Sequence, residues 1–162
     1  MEAVRDIAVE VIDRQRAVQI GAAWLARVAR RALERQGVTR AELSIMVVGD
    51  RRMARLHEEW LGISGPTDVI TFDLGADGRG AAAGLRGDIV VSAETARRTA
   101  RELGWAPRLE VAYYVIHGIL HLTGHDDVDP ARRRTMRARE RTLMRAVGLP
   151  TPPRSRQGRS PA

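Results

Sequence analysis

Between residues 107 and 123, apolar side chains fall on nearly every side of a helical spiral: Leu109, Val111, Ala112, Val115, Ile116, Ile119, Leu120 and Leu122. A helix of that kind has no polar face to offer water and must be enclosed by other parts of the chain. Pro107 suits its first position, where the missing N–H has no helical partner to lose. Gly124 suits its end. No stretch approaches the roughly 20 apolar residues needed to cross a bilayer, so the enclosing medium is expected to be protein rather than membrane.

The enclosing elements follow from periodicity. Residues 6–12 alternate apolar and polar, as a half-exposed strand does. Residues 17–36 carry Val18, Ala22, Leu25, Val28, Ala29 and Ala32 at helical spacing, with Arg27, Arg30, Arg31 and Arg35 available to the outer face. Residues 42–48 read as a second strand, and Asp50 is placed to cap a short helix running to about Trp60. Residues 68–74 and 88–92, rich in β-branched side chains, read as two more strands separated by a Gly/Ala-rich loop over 75–87. Ser92 opens a helix that stops near Gly104, and Asp129-Pro130 starts a last one reaching about Val147. Strands early and helices late predict an α+β fold, a small sheet covered by helices. Residues 1–148 read as a single domain, and 149–162 as a disordered basic tail.

Charge is unevenly placed along the 162 residues. The formal charge is +7, and every basic residue is arginine. Residues 1–129 hold 17 arginines against 19 acids, whereas residues 130–162 hold 10 arginines against one acid, Glu140. Basicity therefore belongs to the last helix and the tail. Arg133, Arg137, Arg141 and Arg145 recur every fourth residue and form one ridge, while Met136, Leu143 and Val147 can face the core. The planar guanidinium fork matches phosphate oxygens, so the expected partner is a nucleic acid. Without cysteine there is no disulfide framework, thiolate zinc finger or cysteine nucleophile. The opening Met1-Glu2-Ala3-Val4-Arg5-Asp6 does not resemble a secretory signal, and the expected location is the cytoplasm.

Three of the four histidines fall within the run His117-Gly-Ile-Leu-His121-Leu-Thr-Gly-His125-Asp126-Asp127. His117 and His121, four apart on a helix, share a face and can chelate one metal ion. Gly124 lets the chain turn back, so a residue just beyond it can supply a third ligand: Asp127, six after His121, or its neighbours His125 and Asp126. Two buried imidazoles without a metal would each need partners for two ring nitrogens; a shared cation and a carboxylate satisfy both. The position after His117 is Gly118, not the glutamate of His-Glu-x-x-His proteases, which counts against that class. A glycine there costs the helix about 1 kcal/mol relative to alanine and implies close packing or room for substrate.

Two further stretches and the histidine run, taken in order, resemble the YbeY family of metal-dependent endoribonucleases of bacterial rRNA maturation. Pro66-Thr67-Asp68-Val69-Ile70-Thr71-Phe72 is similar to the family's Pro-Thr-Asp-Val-Leu-Ser-Phe segment. Gly87-Asp88-Ile89-Val90-Val91-Ser92 is similar to Gly-Asp-Ile-x-Ile-Ser, and His117-Gly118-Ile119-Leu120-His121-Leu122-Thr123-Gly124 to His-Gly-x-Leu-His-Leu-x-Gly. The resemblance runs from about residue 6 to residue 148. It implies a four-stranded mixed sheet and one zinc ion on the late helix. It also implies cleavage of single-stranded RNA, maturation of the 16S rRNA 3′ end, and ribosome quality control with the small ribosomal subunit as partner.

The chain departs from the family pattern at two places. The signature usually continues Gly-Tyr-Asp-His, its last histidine being the third zinc ligand; here the run is Gly124-His125-Asp126-Asp127. The expected ligand set is thus His117, His121 and Asp127, with His125 as the rival, and a carboxylate there favours weaker zinc binding or a harder metal. Many members carry an arginine after the aromatic that precedes the Pro-Thr-Asp segment; here Trp60 is followed by Leu61, leaving Arg55 or Arg86 to replace it. Metal-activated water is the expected nucleophile, with His117 and Asp68 as catalytic residues and Asp88 as an alternative to Asp68. Trp60 is expected to be a half-buried core residue, with base stacking the alternative, and His57 a surface or packing residue. The competing readings are a non-catalytic ribosome-assembly factor with a structural metal, and a metallohydrolase of small or peptide substrates.

Overall fold

The computed structural model describes residues 4–77 and 84–153. Its elements run β1 (Asp6–Asp13), α1 (Ala22–Arg35), β2 (Arg40–Val48), α2 (Asp50–Leu61), β3 (Val69–Asp77), β4 (Gly84–Ser92), α3 (Ala93–Leu103), α4 (Pro107–Leu122) and α5 (Pro130–Ala146). The strands form one mixed sheet in the order β1-β2-β4-β3, parallel except for the antiparallel β3–β4 pair. This is the α+β architecture expected.

Strand alternation divides the sheet into two unequal faces. Ile7, Leu43, Ile45, Val47, Ile89 and Val91 belong to the main core with α1, α3, α4 and α5. Val48, Ile70 and Val90 belong to a smaller core under Met53 of α2, on the other face. At 25 cal/mol per Å² of apolar area, each fully buried aliphatic side chain contributes roughly 1.5–3 kcal/mol, so the larger face dominates stability. α4 is the centre of that face: Val111, Ala112, Val115, Ile116, Ile119 and Leu120 are fully buried. The sequence's most apolar segment is thus the element that others surround.

Two glycines let α4 come close to β4. A Cβ on Gly118 would lie 2.8 Å from Ile89 Cδ1, and one on Gly87 would lie 2.7 Å from Leu122 Cδ1. Gly118 is therefore a packing glycine, and the room-for-substrate alternative falls.

Several expectations need correction. α1 begins at Ala22, not residue 17, because Gly21 has φ +74°. Val18 and Ile20 are buried ahead of it in a loop held by Gln15, whose side-chain amide bonds both the N–H and the carbonyl of Val18 at 2.9 and 2.8 Å. The Gly/Ala-rich loop is shorter than 75–87, since Gly75, Ala76 and Asp77 pair with Arg86, Leu85 and Gly84 across the β3–β4 ladder. Asp50 does not cap α2, whose cap is Gly49. Its carboxylate instead accepts from Ser92, Thr95 and Arg98 at 2.6–2.7 Å and ties α2 to the start of α3. Trp60 is 65% exposed, edge-on to Phe72 at 5.7 Å, and is no core residue. Beyond residue 148, Leu149 packs against the core and Pro152 is buried. Residues 154–162 of the expected tail lie outside the described residues.

Candidate metal centre

The site is built at the C-terminal end of α4. His117 and His121 stand one turn apart with ring centroids 4.6 Å apart, and their Nε2 atoms approach to 3.0 Å. The helix then closes through two backbone bonds, Gly124 N–H to the His121 carbonyl at 3.2 Å and His125 N–H to the Leu120 carbonyl at 3.0 Å. Gly124 takes φ +101°, a conformation that a side chain would strain. This turn sends the chain back across the end of α4.

The turn is then fixed by the first residues of α5. Arg132 binds the carboxylate of Asp126 at 3.1 Å, and Asp129 caps the helix by accepting the Arg132 N–H at 2.8 Å. Arg133 Nη1 donates to the Asp127 carbonyl at 3.4 Å. With its neighbours so engaged, the Asp127 carboxylate faces the histidines: Oδ2 is 3.8 Å from His117 Nε2 and Oδ1 is 3.7 Å from His121 Nε2. Four-coordinate zinc with bonds near 2.0–2.1 Å sets its ligand atoms about 3.3 Å apart. Two imidazole nitrogens and a carboxylate oxygen, mutually within 4.8 Å, therefore fit a zinc-sized cation in both chemistry and spacing.

Behind the ligands stands a residue that the sequence reading passed over. Glu140 of α5 is 3% exposed, and its Oε1 lies 2.5 Å from His117 Nδ1. Its Oε2 accepts the Tyr113 hydroxyl of α4. The signal in the sequence was its isolation as the one acid among the ten arginines of residues 130–162, at core spacing with Met136 and Leu143.

Electrostatics separates the three histidines. Burial opposes charging of His117, but the hydrogen bond to Glu140 and the charges of Glu140, Asp127 and Asp68 outweigh it, so its pKa is raised. Burial, reinforced by the charge of His117, lowers that of His121. Burial and then Arg139 lower that of His125, which stands outside the cluster.

The remaining candidates divide by face. Asp68 lies where its charge reaches His117, and its Oδ1 is held by the Val69 N–H at 2.9 Å. Gly87 and Ile89 face α4, so the intervening Asp88 points to the opposite side of the sheet. There it lines a groove with Glu10, Glu42 and Arg86, which removes it from the histidine site. Arg86 pairs with Glu42 at 3.4 Å on that same side, and Arg55 is exposed on α2, across the sheet from α4. His57 is a buried packing residue whose Nδ1 meets the Gly65 carbonyl at 2.9 Å. Arg133, Arg137, Arg141 and Arg145 follow one line of α5, the first three half-buried and the last exposed.

Fold and site together define an α+β protein with a candidate three-ligand metal centre at the end of its central helix. The profile of the Endoribonuclease YbeY family matches residues 9–148, and the chain belongs to that family. A protein of Kineococcus radiotolerans named Endoribonuclease YbeY is 37% identical over 147 residues, covering 85% of each chain. One from Geobacter metallireducens with that name is also 37% identical, covering 83% of this chain and 92% of the other. One from Anaeromyxobacter sp. is 46% identical over 110 residues; the match spans 67% of this chain and 56% of that longer protein. The fold is similar to the solution structure of a Thermotoga maritima protein, with a TM-score of 0.60 at 23% identity, covering 86% of this chain and 88% of that one.

Proposed function

We propose that this protein is a metal-dependent endoribonuclease specific for single-stranded RNA. In this reading it acts in the cytoplasm on rRNA of the small ribosomal subunit, in maturation of the 16S rRNA 3′ end and in ribosome quality control. The convergence of His117, His121 and Asp127, in a chain whose family is named for endoribonucleases, carries the reading.

His117, His121 and Asp127 would hold one zinc ion. A zinc ion so bound lowers the pKa of water to about 7 and polarises a phosphoryl oxygen. The other roles fall to the chain itself. Three protein ligands are the number that catalytic zinc sites use, whereas structural sites use four; His125, the fourth donor a structural site would need, stands outside the cluster. Asp68 orients the attacking water, its carboxylate fixed by the Val69 N–H. The α5 ridge of Arg133, Arg137, Arg141 and Arg145 holds RNA phosphates. Arg133 joins that ridge to the ligand turn through the Asp127 carbonyl.

The test is incubation of purified protein with single-stranded rRNA fragments, with and without a chelator, beside His117→Ala. Cleavage should require both metal and His117. Cleavage that persists in both controls rejects the reading.

A further inference from the structure

We propose that Glu140, held by Tyr113, is the positioning residue of the centre: it takes the Nδ1 proton of His117 in a hydrogen bond and so presents the His117 Nε2 lone pair to the metal. The inference rests on the metal reading above and extends it to a residue that binds no metal itself.

α5 buries Met136, Glu140, Leu143 and Met144. Met136, Leu143 and Met144 stabilise the helix by packing alone. A carboxylate in the same row costs several kcal/mol of desolvation unless it is fully paired, and an apolar residue would avoid that cost. The acid is offset by its two partners, the Tyr113 hydroxyl on Oε2 and His117 on Oε1 at 2.5 Å. Were packing its only task, the position would have no use for Tyr113 or His117.

An imidazole has two nitrogens, and which one carries the proton is set by the partner of the other. A carboxylate that already accepts from the Tyr113 hydroxyl also accepts here, so the Nδ1 that faces it carries the hydrogen. In the neutral ring that a metal ligates, this leaves Nε2 as the acceptor, and Nε2 is the atom aimed at His121 Nε2 and at Asp127. A carboxylate behind a metal-bound histidine fixes ring orientation and raises ligand basicity, and its loss typically weakens metal binding 10- to 100-fold.

A further observation separates Glu140 from an ordinary buried acid. Glu110 of α4 is also fully buried, but its carboxylate accepts the Trp105 indole N–H at 2.9 Å. Glu140 comes from a different helix than His117, 23 positions along the chain. The ridge helix thereby reaches into the metal centre.

The experiment combines two readouts. Long-range ¹H–¹⁵N spectra of the metal-free protein, followed upward in pH until the ring is neutral, report the His117 tautomer, which should be the Nδ1–H form in wild type. Zinc titration against a competing chelator should show Glu140→Gln binding 10- to 100-fold more weakly, and Tyr113→Phe weakened by a smaller factor. The amide spectrum of each variant must match wild type away from the site, which excludes unfolding as the cause. An Nε2–H tautomer in wild type overturns the proposal without any variant. So does Glu140→Gln binding zinc within twofold of a wild type that binds normally. A wild type that binds zinc no better than Asp127→Ala removes the metal reading itself, and the positioning role with it.

Discussion

Asp127 stands where the family pattern has a histidine, and its side chain still reaches both imidazoles. The turn at Gly124 sends the chain back across the end of α4 and brings this shorter side chain to the histidines. Asp127→Ala should therefore lower bound metal far more than His125→Ala, as measured by metal content after dialysis; equal metal in Asp127→Ala and wild type would sink the assignment. A second residue-scale outcome concerns Asp50. Burial raises its pKa, but hydrogen bonds from Ser92, Arg98 and Thr95 outweigh this and hold it below its ordinary value of 3.8. Its stabilising contribution is thus present above 3.8 and is lost as pH falls through the lowered value. Asp50→Asn should cost on the order of 1–2 kcal/mol at pH 7. The gap in urea midpoint from wild type should close in acid.

At the scale of elements, legibility followed locality. The all-round apolar pattern of α4, the Ser92 cap of α3 and the Asp129 cap of α5 could all be read because each depends on neighbours within a turn. The ends of β3 and β4 could not. Gly75, Ala76 and Gly84 pair through backbone bonds that leave no side-chain pattern. The exposure of Trp60 is not legible in the sequence, because an aromatic at a helix end carries no local sign of which way it faces. Glu140 looked like one more charge on a basic helix, since its partners come from another element. Gly118 posed a question that sequence could not close and β4 answers: Gly118→Ala would drive a methyl to 2.8 Å from Ile89 Cδ1. Ile89 Cγ1 and Cγ2 would also lie at 3.1 Å, so rotating the terminal methyl does not relieve the contact; overpacking typically costs about 1–3 kcal/mol, against roughly 1 kcal/mol gained in helix propensity. Urea denaturation should thus show Gly118→Ala less stable than wild type. For α5, replacing Arg133, Arg137, Arg141 and Arg145 with glutamine should flatten the dependence of log K for single-stranded RNA on log salt, by about 0.7 for each phosphate that is no longer neutralised. An unchanged slope removes the ridge from the RNA surface.

For the molecule as a whole, the order of the strands in space differs from their order in the chain. β4 inserts between β2 and β3, with Ala41 beside Leu85, so the sheet is complete only when residue 92 has been made. Its apolar face then still lacks α4, the helix that packs against Ile89 and closes the core. During synthesis there is consequently an interval in which Ile45, Val47, Ile89 and Val91 have a scaffold but only the partial cover of α1 and α3, a state prone to association. A fragment ending at residue 105 should bind a hydrophobic dye and aggregate, while the full chain does neither. The ligand-bearing helix is thus also the part whose emergence ends the growing chain's exposure to misassembly.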